Sequence, residues 1–462
     1  MKNARFSKYS LFILASLVLL FVVGLQTSQG QTIRNVATDA TDPNNLSDTE
    51  PSIAVNPRNP QEIAIVSFSE AWGPDTGAPV WRSLDGGVTW QKIRVVPRPP
   101  SRRSGPGDQF LTYDSEGRLY LTELDLPAGV GQKPFNYIYR QNGNVTSDFL
   151  PGKTYGDDQP LVNVDRTIGG PCFQRVYSPW LNSDPLERSM VVHSADSGVS
   201  VTPIGAGDNS TFPNRTTRLA IASDGKTYIV YKSRRGAVDS DFERARFEVV
   251  RSDDCGQTWS ALGPSGISIH AADTVQTWYT KKFGNPTKGK VNRARSSDAW
   301  IATDPSDGDV YVAYISKDSS NKAQIYVSRS RDHGATWVSK RVTDSANNSA
   351  FPEIAVADNG AVGVLFIDYD DSGPTTIFRH RFAQSNDDGG NWTNRTLQSM
   401  DPNLIDNATD GFIWGDYEGL TSHGNTFYGV FTGQSLPGQR SKVQLDPIFF
   451  SVSAEPVQAI IH

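Results

Sequence analysis

From about residue 50 onward the chain repeats one phrase: a short apolar run, a turn of Asp, Asn or Gly, and a second apolar run. The clearest copies are PSIAVNPRNPQEIAIVSF (51–68), QFLTYDSEGRLYLTEL (109–124), RLAIASDGKTYIVYK (218–232), AWIATDPSDGDVYVAYI (299–315) and PEIAVADNGAVGVLFI (352–367). Weaker copies are PLVNVDRTIGGPCFQRVYS (160–178) and EGLTSHGNTFYGVFT (418–432). Alternating apolar positions, β-branched residues and a Gly/Asn/Asp turn predict a β-hairpin in each. A third run follows, as in PVWRS, FEVVRS and QIYVSRS, and leads into a recurring octet. The octet reads SLDGGVTW (83–90), SDDCGQTW (252–259), SRDHGATW (330–337) and SNDDGGNW (385–392), and a fourth run begins at its Trp. Each unit therefore predicts four strands, A to D, with the octet at the C–D turn. Blades 2 and 3 keep degenerate octets, YRQNGNVTSDF (139–149) and HSADSGVSV (193–201), and the last unit has none. Seven hairpins spaced about 50 residues apart predict an all-β, seven-bladed propeller of four-stranded blades. Six blades is the alternative, and it leaves one hairpin unplaced.

The octet's residue types suit a folding clasp. Gly takes positive φ cheaply, Asp and Ser/Thr bond the turn's own amides, and Trp buries a large apolar area between sheets. Asp85, Asp254, Asp332 and Asp387 are thus structural rather than catalytic. The four octets resemble the Asp-box (BNR) repeats of the sialidase-like β-propeller superfamily. With the hairpin phrases the similarity runs over roughly residues 50 to 452. The resemblance implies a propeller whose octets lie on the face away from the active site.

Composition narrows the class. A formal net charge of −6 argues against nucleic acid as partner. Lys2, Arg5 and Lys8 precede an apolar run from Leu11 to Leu25, and Ser28 and Gly30 are small residues before a cut at Gln31. At about 15 residues the run is short for a spanning helix of roughly 20. Residues 1–30 read as a secretory signal, 31–49 as an N-terminal arm that closes the ring against residues 445–452, and 50–462 as the propeller. The mature chain is expected to be secreted or periplasmic, with no membrane span. Strand order puts A–B and C–D turns on one face. Cys172 in the A–B turn of blade 3 and Cys255 in the octet of blade 4 then share that face, and a disulfide between them is expected in an exported chain.

The opposite face carries long connections, 98–108, 232–246, 267–298 and 399–417, of a length that is more often functional than accidental. The residues at which the innermost strands begin are Glu50, Asp108, Gln159, Arg218, Asp298, Glu353 and Tyr417, with Asp158, Asp416 and Glu418 beside them. They are expected to ring the axis on this face, where crowded carboxylates shift one another's pKa values. Propeller axes also fill with polar residues for structural reasons alone.

A sialidase-type mechanism needs an arginine cluster, a Tyr nucleophile activated by Glu, and an Asp acid/base. The resemblance assigns Tyr417 with Glu353 to the nucleophile pair and Asp108 or Asp298 to the acid. Arg218, Glu50, Gln159 and Asp416 are candidate substrate contacts, and Arg102, Arg103, Arg234 and Arg235 supply guanidinium forks for a sugar carboxylate. Arg293 and Arg295 lie in the 267–298 connection. The early Phe/Tyr-Arg-Ile/Leu-Pro motif of sialidases is absent, and only one Arg falls in the ring. The expected activity is a glycoside hydrolase on sialic acid or uronate sugars. A uronate polysaccharide lyase and a non-catalytic carbohydrate- or protein-binding propeller remain as alternatives. His270 is the one histidine placed to serve a lyase, and Trp72, Trp180, Trp278, Tyr279 and Trp414 the aromatics placed to stack on sugars. No cofactor is implied. DYDDSG (368–373), DPSDGD (304–309) and DNATDG (406–411) read as turns rather than metal loops, since none has the terminal Glu of a calcium loop. Nothing in the sequence fixes the oligomeric state.

Overall fold

In the computed structural model the repeats form seven antiparallel sheets around one axis. The structure describes residues 31–43, 47–69, 77–97, 102–127, 135–141, 149–151, 158–182, 188–198, 200, 202–205, 214–237, 242–261, 269–278, 299–344, 346–370, 377–401, 404–405 and 416–455. No α-helix occurs among them. Blade 1 comprises Asp48–Val55, Ile63–Ser69, Gly77–Ser83 and Gln91–Pro97, in that order from the axis outward. Blades 2 to 6 repeat the order, with innermost strands Arg102–Tyr113, Asn163–Val164, Asn214–Ile221, Trp300–Thr303 and Asn348–Val356.

Blade 7 is built from both ends of the chain. Gly419–His423, Thr426–Gln434 and Leu445–Ser453 supply its inner strands, and Thr32–Asn35 is its outermost strand, with Thr32 opposite Ser451 and Asn35 opposite Ile448. A buried polar network reinforces this join. Arg440, whose side chain is fully buried, contacts Asp446 Oδ2 at 3.1 Å and donates to the backbone oxygen of Asp42 at 2.6 Å. Asn35 Nδ2 and Ser435 Oγ donate to the same Asp446 oxygen at 3.0 and 2.8 Å, and Lys92 of blade 1 pairs with Asp42. Burial pushes Asp446 up to about 6, against the pull of Arg440 and Ser435.

The octets fold alike. In blade 1, Ser83 Oγ accepts the N–H of Gly87 at 2.8 Å and donates to Asp85 Oδ1 at 2.7 Å. Asp85 in turn accepts the N–H and hydroxyl of Thr89 at 2.9 and 2.6 Å. Asp254, Asp332 and Asp387 repeat the pattern. So does Asp196 in the degenerate octet of blade 3, with Ser194, Gly198 and Ser200. Each Trp packs against the preceding blade. Trp90 meets Phe449 of blade 7 edge-on at 5.3 Å, and Trp259, Trp337 and Trp392 join clusters containing residues of blades 3, 4 and 5. Gly87 is forced on two grounds: its φ is +92°, and a Cβ there would lie 2.2 Å from the Phe449 ring.

A–B turns and octets share one face, as the Gly86 N–H to Gln61 carbonyl bond of 2.9 Å shows. On that face Cys172 and Cys255 form a disulfide. Two expected loops on the other face are strands instead. Thr227–Ala237 and Phe242–Ser252 pair well beyond the blade body, from Thr227↔Ser252 to Ala237↔Glu243, and Ile269–Trp278 adds a third strand to this ribbon. Residues 102–113 likewise form one irregular strand with three register shifts. Polar and Gly-rich composition hid the extension, because a solvated ribbon needs no apolar alternation.

Candidate functional site

The innermost strands of blades 1, 2 and 6 enter through a β-bulge, with register shifts at Thr49/Ser52, Gly107/Phe110 and Ala350/Glu353. At the bulges and at the matching entry of blade 3, one non-glycine residue has positive φ: Glu50 (49°), Asp108 (51°), Gln159 (52°) and Phe351 (52°). Three of the four precede Pro, which disfavours the ordinary helical conformation for the residue before it. Left-handed backbone at bulky residues costs of order 1–3 kcal/mol and is retained where the surroundings impose it, often at functional sites.

The bulges divide the expected ring into two levels. Glu50, Asp108 and Gln159 stand at the strained entry. Arg218 and Glu353 belong to the regular ladder beyond it, opposite Val230 and Leu365. In blade 6 the entry position is Phe351, so Glu353 is two residues further in and lines an axial cavity of about 150 Å³ with Phe110 and Trp300.

At the entry level the side chains converge. Glu50 Oε1 accepts the N–H of Asp416 at 2.8 Å. Gln159 donates from its backbone to Asp108 Oδ2 and from Nε2 to Asp416 Oδ2, both at 3.2 Å. Its Oε1 accepts from Arg218 Nη2 at 3.2 Å. Arg218 is fully buried; its guanidinium lies 4.6 Å over Trp300 and 5.9 Å over Phe110. Tyr417 packs on Phe110 with ring centroids 4.4 Å apart. Asp416 and Trp300 are half-buried, and Glu50, Asp108, Gln159, Arg218, Phe110 and Tyr417 are buried.

Protonation follows from crowding. Burial, then the charges of Asp108 and Asp416, hold the Glu50 carboxyl well above its ordinary range. Burial and Asp416 raise Asp108 too, while hydrogen bonds from Glu50, Asp158 and the Gln159 backbone oppose the rise. The Glu50 and Asp108 carboxyls share a hydrogen bond, which requires a proton on one of them. The bond raises Glu50 and lowers Asp108, the directions expected with Glu50 as its donor. Two carboxylates this close cannot both ionise.

Tyr417 is buried among Glu50, Asp108 and Asp416. Burial first, then those charges, raise its phenol far above normal, with Arg218 pulling weakly the other way. Its hydroxyl has no hydrogen-bond partner. The acids that bear most on it are Glu50, Asp108 and Asp416; Glu353, the partner expected from sequence, lies on the ladder beyond the bulge. Glu418 turns into blade 7, where it accepts the Thr432 N–H at 2.8 Å and faces His380 Nε2 at 3.5 Å. Burial raises Glu418 and lowers His380 to about 3, so that pair is neutral.

The remaining expectations divide by what is described. Asp298, Arg293, Arg295, Trp72, Tyr279 and Trp414 lie outside the described residues, as do residues 1–30. Arg102 and Arg103 lie at the start of Arg102–Tyr113, and Arg234 and Arg235 in the ribbon arm Thr227–Ala237. His270 and Trp278 belong to the ribbon strand Ile269–Trp278 rather than to a loop. Trp180 is buried against Phe110 and Tyr417 in the core cluster of blades 2 and 3, not displayed to a sugar. Sequence reasoning missed Phe110 and Trp300, the aromatic walls around Arg218. Phe110 stands two residues after Asp108 in sequence and Trp300 two after Asp298, and that spacing from two ring candidates was the signal available.

The fold and cluster define a seven-bladed propeller with a buried acid pair at one end of its axis. No protein-family model matches the chain, and no curated protein matches it in sequence. Among solved structures it is similar to a PL25 ulvan lyase bound to a GlcA(1-4)Rha3S saccharide, with TM-score 0.54 and 10% identity over 94% of this chain and 98% of that one. A second structure of a PL25 ulvan lyase aligns at TM-score 0.53 and 11% identity, over 94% and 98% of the two chains. A leech intramolecular trans-sialidase aligns more loosely, at TM-score 0.38 and 13% identity over 93% and 71%. At such identities the two lyase structures speak for the propeller fold alone.

Proposed function

We propose that the protein is an exported enzyme that cleaves a glycosidic bond by acid–base chemistry at the Glu50–Asp108–Asp416 cluster. The observation that carries this is the buried Glu50–Asp108 pair beside Asp416, both of its carboxyls raised by burial and by the Asp416 charge. Such a pair supplies a proton to a leaving oxygen, and the flanking carboxylate favours the positive charge that builds on the sugar. The two carboxyls are too close to act as the separate acid and base of the usual two-carboxylate schemes. They act as one proton donor, and Asp416, the half-buried member, stands on the open side as the second carboxylate.

The cluster bears on which sugar is cleaved. Its described members carry more acid than base, and its one Arg already donates to Gln159 and to the Thr217 backbone. A preference for sialic acid or uronate therefore rests on Arg102, Arg103, Arg234 and Arg235 at the rim, with the acid pair beneath serving the bond to be broken. A uronate lyase is the second reading. It draws on Tyr417, whose protonated, partnerless hydroxyl suits proton transfer better than nucleophilic attack. The ulvan lyase of similar fold holds a GlcA(1-4)Rha3S saccharide, which makes a glycan the first ligand to try.

The test is to incubate the mature domain with sialylated, uronate-bearing and neutral glycans and to weigh the products. Addition of water supports hydrolysis, and an unsaturated uronate supports elimination. Tight binding without any product would overturn the enzyme and leave a lectin-like propeller.

A further inference from the structure

The other end of the axis has its own chemistry. The turn after the innermost strand of blade 3 is tightly fixed. The Asp165 N–H bonds the Arg175 carbonyl at 2.9 Å, the Thr167 N–H bonds Asp165 Oδ1 at 2.8 Å, and Cys172 is tied to Cys255. Arg166 projects from this turn into the axial channel. It lines both the inner cavity of about 150 Å³ and the wider mouth of about 620 Å³ on the octet face.

Arg166 forms no hydrogen bond or ion pair among the described residues; Asp114 bears on it only through its charge. Protein surrounds it closely enough that desolvation lowers its pKa, yet much of its surface meets open space. Both hold because that space is the channel. The other ionisable groups lining the channel are Tyr113, Glu353 and Glu418 at the inner end and Asp358 and His423 at the mouth. A guanidinium that faces a channel with no acceptor of its own has its donors open to an oxyanion that enters.

We propose that Arg166 makes the octet-face mouth of the channel a binding site for one small oxyanion: a sulfate, a phosphate or a carboxylate. The planar fork of Arg suits two oxygens of such a group. Asn163 lies on the same wall, and one hydrogen of its amide is used on the Leu219 carbonyl at 3.3 Å, leaving the second for a ligand. The hydroxyls of Thr167 and Thr421 line the mouth as well. The site is on the face opposite the Glu50–Asp108 cluster and does not depend on what that cluster does.

The test compares the wild-type chain with Arg166→Met and Arg166→Lys in chloride buffer, by calorimetric titration with sulfate, phosphate and acetate at matched ionic strength. Thermal melts run alongside. Sulfate stabilises most proteins by exclusion from their surface, so the difference between wild type and variant is what counts. The expected result is saturable binding of one ion, at least ~10-fold weaker in Arg166→Met and intermediate in Arg166→Lys, which keeps charge but not the fork. Without oxyanion, Arg166→Met should melt no lower than wild type, because it removes a desolvated charge. A sulfated disaccharide titrated in parallel distinguishes a free ion from a glycan-borne sulfate. Equal responses of wild type and Arg166→Met to every anion would overturn the proposal. So would a large loss of stability in Arg166→Met in chloride alone, since the charge would then serve the fold.

Discussion

Glu50 Oε1 accepts the backbone N–H of Asp416 at 2.8 Å, so the first blade and the entrance to the last hold one another at the axis. The bond uses one oxygen of Glu50, and the carboxyl also bonds Asp108. Glu50→Gln keeps the first contact, since an amide oxygen accepts as a carboxyl does, and removes the shared proton. Turnover should fall ~10²–10⁴-fold, the usual worth of a positioned general acid, with little change in melting temperature. Activity that needs protonated Glu50 should be lost as pH rises through its raised pKa, and this alkaline limb should vanish in the variant. Full activity in Glu50→Gln would remove Glu50 from the chemistry.

Tyr417 provides a test of a different kind. Its hydroxyl is buried with no partner, so Tyr417→Phe removes an unsatisfied polar group. Stability should hold or rise, by up to about 1 kcal/mol, measured by urea unfolding. A hydroxyl used in the reaction would instead show in kinetics, as a loss of 10²-fold or more in kcat. Unchanged stability with lost turnover marks a catalytic hydroxyl. Unchanged stability with unchanged turnover leaves Tyr417 as a wall of the site.

The blades were legible in the sequence because hairpin and octet repeat as local patterns, each short enough to read alone. The level of each axial residue was not, because it depends on counting along a strand. A bulge adds a residue and reverses the count. That is why Glu353 reads as a partner of Glu50 and Asp108, while Phe351 holds their position. The Asp196 octet reads as no more than a degenerate copy. Its Trp is missing, and Trp is its most conspicuous letter, yet Ser194, Asp196, Gly198 and Ser200 supply every hydrogen-bonding atom. Arg166 escaped notice because nothing in its neighbourhood of sequence says that its turn opens on the axis.

The octets allow a comparison within one molecule. If the Asp network rather than the Trp is what holds the turn, Asp196→Ala should cost about as much as Asp254→Ala, roughly 1–2 kcal/mol each by chemical denaturation. Hydrogen bonds from Ser200 lower Asp196 to about 2. For Asp254, burial acts upward but the Thr258 and Ser252 bonds outweigh it. A depressed carboxylate contributes stability that is present above its unfolded pKa of 3.8 and lost as pH falls through the folded value. The two variants should therefore converge with wild type in strong acid. A negligible cost at Asp196 beside a large one at Asp254 would mean that the Trp does the holding.

The closing network should behave in the opposite sense with pH. Asp446 is raised to about 6 from 3.8, because burial outweighs the attraction of Arg440. Between those values the folded chain holds a proton that the unfolded chain has released, so this group's contribution falls as pH rises through the window. Asp446→Asn removes the titration, and the stability difference between wild type and variant should shift against wild type from pH 4 to pH 6. Arg440→Met strands buried Asp446 without its cation and leaves buried Asp42 only Lys92. At neutral pH that should cost about 3–5 kcal/mol, and less at pH 4, where Asp446 takes up its proton. Because Thr32–Asn35 is held beside these residues, the strand should be the first to exchange its amides in Arg440→Met, followed by hydrogen–deuterium exchange. Uniform loosening of all seven blades would instead mean that the ring is closed by its aromatic contacts, Trp90 on Phe449 foremost, and that the buried charges only fix its register.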